Sequence, residues 1–159
     1  MDVMNCDGAL KPETRNSRPA PFQRLTTAGG GGKGGPFPMR CRIIKDFRFE
    51  AAQTLPNLPS THKCTKMHGH SFKVEIAIEG EVDPHIGWVY DHAEISRAMK
   101  PLLDQLDHGY LNEIEGLENP TIENMAAWLW RKLAPQLPGL CEITIHETPA
   151  ARCVFRGEF

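Results

Sequence analysis

The chain has 159 residues, 40% of them hydrophobic, and a formal net charge of -2. That length supports one domain with its own core, and the near-neutral balance excludes a nucleic-acid surface built on net basicity. No apolar run approaches the ~18 residues of a membrane span.

The N-terminus carries no contiguous apolar segment of secretion-signal type. Five cysteines, at 6, 41, 64, 141 and 153, stand at irregular spacing. Reduced thiols in a cytoplasmic protein fit that pattern best.

Residues 1–38 are rich in Pro, Gly, Arg and Thr and include Gly29-Gly30-Gly31-Gly32-Lys33-Gly34-Gly35-Pro36. Such a segment cannot bury enough apolar surface to offset its ordering entropy. It reads as a flexible low-complexity tail, with the folded domain over residues 39–159 and Met39 a candidate alternative start. The glycine run is no phosphate-binding loop, because no strand precedes it and no Gly-Lys-Ser/Thr follows.

From Cys41 the pattern turns to strand. Phe47, Phe49 and Ala51 alternate with Asp46, Arg48 and Glu50, the period of a half-buried strand. Gln53 falls on the same apolar parity. Leu55 to Lys63, with two prolines, reads as a loop. It leads into His62-Lys-Cys-Thr-Lys-Met-His-Gly-His70.

His68 and His70 share parity with Phe72, Val74, Ile76 and Ile78, so they open the buried face of a second strand. Two neutral imidazoles there suit zinc, with Cys64 as a third ligand or as a nucleophile or base beside the metal. Equally, the histidines read as satisfied loop residues and the cysteine as an inert thiol, because short motifs recur by chance.

The second strand is expected over Phe72 to Glu79, a turn over Asp83 to Gly87, and a short third strand over Trp88 to Asp91. Asp91 and Glu94 have capping-box spacing for a first helix carrying Ile95, Met99, Leu102, Leu103 and Leu106. Pro101 should kink or restart it, and it should end near Gly109. Thr121 is a good N-cap for a second helix with Ile122, Met125, Ala126, Leu129, Trp130 and Leu133 on one face. Cys141, Ile143, Ile145 and Glu147 share a strand face, and residues 154–156 add an edge strand. This order predicts an α+β fold, an antiparallel sheet covered by helices.

Gln53, His68, His70 and Glu147 each sit at one end of an apolar strand row. Inward polar groups are costly unless paired, so their convergence would mark a site; Glu147 could instead lie in water beyond the sheet edge. Asp107-His108, ending the first helix, has the makings of a proton relay or is simply solvated.

Taken together and in order, Phe49-Glu-Ala-Ala52, His62-Lys-Cys64, His68-Gly-His-Ser71, Gly87-Trp88, Leu106-Asp-His108, Gly116-Leu-Glu-Asn-Pro-Thr121 and Glu147-Thr148 closely resemble the 6-pyruvoyl-tetrahydropterin synthase superfamily. The Cys-x3-His-Gly-His spacing resembles its carboxy-forming branch of queuosine biosynthesis. The resemblance spans about residues 42–158 and implies the tunnelling fold: a four-stranded antiparallel sheet with two helices on one face, assembling into an oligomeric barrel, a homohexamer. It implies conversion of 7,8-dihydroneopterin triphosphate to 6-carboxy-5,6,7,8-tetrahydropterin, with acetaldehyde and triphosphate released. By matching position, His68 and His70 are zinc ligands, Cys64 is the base, Asp107 and His108 form the relay, and Glu147 anchors the pterin.

One position departs. Where the family places its first zinc-binding histidine, this chain has Gln53. A glutamine oxygen is neutral and harder than imidazole, an uncommon zinc ligand. Gln53 binds zinc through its oxygen, or His62 or Cys64 replaces it, or the site is metal-poor and the protein a pterin-binding homologue. The same residues would also suit a pyruvoyl-forming enzyme or a small structural zinc module.

Overall fold

Alternating side chains fix the first two strands. The computed structural model describes residues 38–159; the expected tail, apart from Pro38, lies outside them. Strand β1, Arg40–Gln53, pairs antiparallel with β2, His68–Glu81, over their whole length. Strand β3, Leu140–Thr148, pairs with β2 on its other side, and β4, Ala151–Phe155, closes the order β1-β2-β3-β4. The one-residue register is decisive, because a slip would turn every apolar side chain to the other face.

Helix α1, His92–Leu106, and helix α2, Ile122–Leu133, pack on a single face of this sheet. Phe49, Phe72, Val74, Ile76 and Ile78 from the strands meet Ile95, Met99, Leu102, Met125 and Leu129 from the helices in one core. Burying each such side chain contributes about 1.5–3 kcal/mol, which is what holds two helices against a strand pair. Both helices start at the predicted caps, Asp91 accepting from the backbone N–H of Ala93 and Thr121 from that of Asn124, while the Glu94 carboxylate turns to Arg97 and does not close the capping box.

Three expectations are corrected. Trp88 to Asp91 form no strand. The backbone N–H of Asp83 instead donates to the Trp88 carbonyl and closes a loop, while β3 already occupies the free side of β2. Helix α1 does not restart at Pro101 but continues through it; Ile95, Met99, Leu102 and Leu106 are anchored in the core on both sides of the proline, and that burial outweighs one lost helical hydrogen bond. The second strand begins four residues earlier than Phe72, so His68 and His70 lie within it.

The face of the sheet turned away from the helices is charged. Lys73 Nζ lies 2.7 Å from Glu75 Oε1 and 3.0 Å from Asp46 Oδ2, and His146 Nε2 lies 3.0 Å from the same Glu75 oxygen. Lys73 foremost, and then His146, holds the Glu75 carboxyl below its usual value of 4.5. A depressed carboxyl stabilises the fold above its unfolded value, and that contribution is lost as pH falls through the lowered folded value. Denaturant midpoints measured from roughly pH 7 down to 3 are expected to fall less steeply below the ordinary carboxyl range in Glu75→Gln than in the native chain.

Four described cysteines, Cys41, Cys64, Cys141 and Cys153, are free thiols. Burial pushes the thiols of Cys141 and Cys153 upward, which keeps them protonated and unreactive. No helix among the described residues is long and apolar enough to cross a membrane.

Candidate active site

The ends of β1, β2 and β3 bring four of the predicted residues together. In the β1–β2 ladder Gln53 is directly opposite His68, and Ala51 opposite His70. Opposed residues hold their Cβ atoms about 5 Å apart on the same face. The His68 and His70 rings stand perpendicular with centroids 5.0 Å apart. Glu147, from β3, reaches the same place: its Oε1 accepts from Gln53 Nε2 at 3.0 Å and lies 3.5 Å from His70 Nε2. Glu147 therefore faces the site and not open water.

The hydrogen bonds fix which atoms are left over. His68 Nδ1 sits 2.8 Å from the Lys66 carbonyl. A carbonyl only accepts, so Nδ1 carries the proton and Nε2 keeps its lone pair. A carboxylate likewise only accepts, so the amide nitrogen of Gln53 must face Glu147, which leaves Oε1 turned elsewhere. Both leftover atoms, His68 Nε2 and Gln53 Oε1, are buried without a hydrogen-bond partner. Gln53 is 0% exposed.

An unpartnered buried polar atom costs about 1–3 kcal/mol. Two acceptors, orphaned together on one face and each backed by a hydrogen bond on its far side, have the arrangement of metal ligands. The donor set fits zinc: imidazole nitrogen from His68 and His70, with a carboxamide oxygen beside them. Among the described residues no group of three or more His, Cys, Asp or Glu is placed to hold a metal, so the structure does not bring His62 or Cys64 in as a substitute ligand.

The predicted relay pair sits on the adjoining rim. Asp107 Oδ1 lies 3.0 Å from His108 Nδ1 and accepts from the backbone N–H of Glu50 at 2.9 Å. That backbone donor first, and His108 second, hold the Asp107 carboxyl below its ordinary range. The ionised carboxylate fixes the His108 tautomer with its proton on Nδ1, leaving Nε2 free. His108 takes a left-handed backbone conformation, φ 58°, costly for a residue with a β-carbon. It is held there by its own N–H donating to the Glu50 carbonyl at 2.6 Å, while the Gly109 carbonyl accepts from Ala52 at 3.0 Å. The His108 side chain is largely exposed and lines a groove of about 370 Å³ with Glu50, Ala51, Gly69, His70 and Ser71.

Cys64 stands apart in kind. It lies half-buried on a single 3-10 turn, Lys63–Thr65, just before β2. Its backbone is engaged, the carbonyl accepting from Leu55 at 2.8 Å and the N–H donating to His62 Nδ1 at 3.2 Å. The structure records no hydrogen bond of its thiol.

Asn112, which reads in the sequence only as the start of a polar loop, is a positioning residue. Its side-chain amide accepts from the Thr54 N–H at 2.9 Å and donates to the Thr54 carbonyl at 2.9 Å. It thereby continues the β1 ladder by one artificial rung just past Gln53. Only the carboxamide side chains offer that peptide-like donor and acceptor pair.

Together these features define an α+β protein with an imidazole, amide and carboxylate centre at the open end of an antiparallel sheet. The model of the 6-pyruvoyl tetrahydropterin synthase family matches residues 42–158, and the chain belongs to that family. A 6-carboxy-5,6,7,8-tetrahydropterin synthase of Synechocystis is 38% identical over 112 residues, which cover 67% of this chain and 85% of the relative. A dihydroneopterin monophosphate aldolase of Pyrococcus furiosus is 34% identical over 101 residues, 64% of this chain and 82% of the relative. The solved Caenorhabditis elegans 6-pyruvoyl tetrahydropterin synthase superposes with a TM-score of 0.70 at 30% identity, over 77% of this chain and 99% of that one. The four-stranded sheet with both helices on one face is the expected tunnelling-fold unit.

Proposed function

We propose that the protein is a zinc-dependent carbon–carbon lyase converting 7,8-dihydroneopterin triphosphate to 6-carboxy-5,6,7,8-tetrahydropterin, with release of acetaldehyde and triphosphate, in queuosine (7-deazaguanine) biosynthesis. The observation that carries this reading is the convergence of Gln53, His68, His70 and Glu147 at one sheet end, beside the Asp107–His108 pair. The Synechocystis relative and the Cys-x3-His-Gly-His spacing favour the carboxy product over the pyruvoyl one.

In this reading His68 and His70 hold the zinc, which when bound would polarise the side-chain oxygens of the substrate as a Lewis acid. Glu147 meets Gln53 and His70 through one oxygen, Oε1. Its other oxygen can accept from the amino-pyrimidine edge of a pterin, a charge-assisted bond that orients the ring. Cys64 takes a proton from the substrate side chain. His108, with Nδ1 held by Asp107, takes up a proton at Nε2 and then delivers it to the substrate, and Asp107 stabilises the imidazolium between those two transfers.

The sheet order leaves β1 and β4 as edges. Edge strands carry unpaired backbone groups, and pairing them between copies would close the sheets into the barrel of a homohexamer acting in the cytoplasm.

The test is product identity. With 7,8-dihydroneopterin triphosphate, mass spectrometry should find the 6-carboxy product with acetaldehyde in equal amount. Turnover without acetaldehyde would give the reaction to the pyruvoyl-forming class. Pterin binding without turnover would leave a binding homologue.

A further inference from the structure

We propose that Gln53 is a metal ligand through Oε1 and that the same amide, through Nε2, holds the Glu147 carboxylate, so one side chain couples the metal to the pterin anchor. The inference rests on the zinc reading above and goes beyond it in naming the third ligand and a second task for it.

Burial comes first. Gln53 is 0% exposed and its Oε1 has no hydrogen-bond partner, so this oxygen is neither solvated nor satisfied by protein. Position comes second. Its partner across the ladder is His68, whose Nε2 is the other orphaned buried atom on that face. Orientation comes third. The Gln53 Nε2 bond to Glu147 at 3.0 Å fixes the amide, because a carboxylate can meet only the nitrogen end. The competing ligands are otherwise placed: His62 is exposed and its Nδ1 accepts from the Cys64 N–H, and Cys64 joins no group of three with His68 and His70.

The bond to Glu147 does for this ligand what a carboxylate does behind a metal-bound histidine: it orients the donor and raises its basicity. A carboxamide oxygen is nonetheless a weaker zinc donor than imidazole. The chain should therefore bind zinc less tightly than a three-histidine site, and metal loading should fix the face that Glu147 presents to the ring.

Zinc alone, titrated against a chromophoric chelator, and the visible spectrum of the cobalt-loaded protein test the first half. Gln53→Leu should lose zinc affinity by roughly 100-fold, at or beyond the upper end of what outer-shell substitutions cost, and should shift the cobalt bands. Gln53→His should bind zinc more tightly than the native chain and also shift the bands. If all three proteins share one affinity and one spectrum, Gln53 is not a ligand, and zinc on His68 and His70 stands without it. If the native chain binds no zinc at all, the zinc reading falls with the inference.

Gln53→Glu tests the coupling, and guards against a Leu variant that fails to fold. It keeps an oxygen for the metal but sets an acceptor against Glu147. Zinc should be retained, while binding of neopterin, read by its fluorescence, weakens at least ~10-fold, as expected for a lost charge-assisted bond. Unchanged neopterin affinity in Gln53→Glu would overturn the coupling.

Discussion

Cys64→Ala is expected to lose turnover of 7,8-dihydroneopterin triphosphate by about 10²–10⁴-fold, the range that a positioned general base supplies, and to keep both its fold and its zinc. The separation is unusually clean here. Everything the structure records Cys64 holding, it holds through its backbone: the carbonyl to Leu55 and the N–H to His62. Alanine keeps both bonds, and the half-buried thiol makes no hydrogen bond that the variant would lose. The residues proposed to hold zinc stand elsewhere, on β1 and β2, so zinc content should match the native protein. Steady-state kinetics with metal analysis on the same preparation check this. Activity within a few-fold of native would move the base to another residue, with His108 first in line. Loss of zinc along with activity would instead make Cys64 a ligand.

The strand parities were legible because a two-residue period is a local property. Phe49, Ala51 and Gln53 on one strand, and His68, His70 and Phe72 on the next, lie on the helix-covered side that their alternation predicts. Helix starts at Asp91 and Thr121 were legible for the same reason, since a cap reaches two or three residues. What alternation cannot give is what the parity is for. Gln53 and Glu147 are 94 residues apart in sequence, and only the two ladder registers bring amide to carboxylate.

The same holds for Asn112, whose role depends on Thr54 lying alongside it. His108 shows a different failure. A glycine next to a helix end is the usual bearer of positive φ, and Gly109 invites that reading, yet the structure gives the strained conformation to His108. The strain aims an imidazole into the groove, a local rule broken where a site needs it. Pro101 misleads in the opposite sense: its cost is local and fixed, whereas the burial that overrides it comes from the whole helix face.

Glu147→Gln is expected to lower kcat/KM by about 10²-fold, chiefly through KM, while leaving stability nearly unchanged. In the proposed reading one carboxylate has two jobs. Toward the protein, Oε1 accepts from Gln53 Nε2 at 3.0 Å; a glutamine at 147 can turn its own carbonyl to that donor, so the buried Gln53 N–H stays satisfied. Toward the substrate, a neutral amide gives up the charge assistance, and a hydrogen bond to a charged group contributes about 1.5–3 kcal/mol, or some 10–150-fold in binding. Glu147→Leu separates the jobs. It should lose at least as much pterin affinity and, in addition, about 1–3 kcal/mol of stability, because the Gln53 N–H is left buried without an acceptor. Steady-state kinetics and urea midpoints on both variants decide it. Equal stability losses in the two would mean that the Gln53–Glu147 bond contributes little, and equal kinetics in Glu147→Gln and native would remove Glu147 from the substrate altogether.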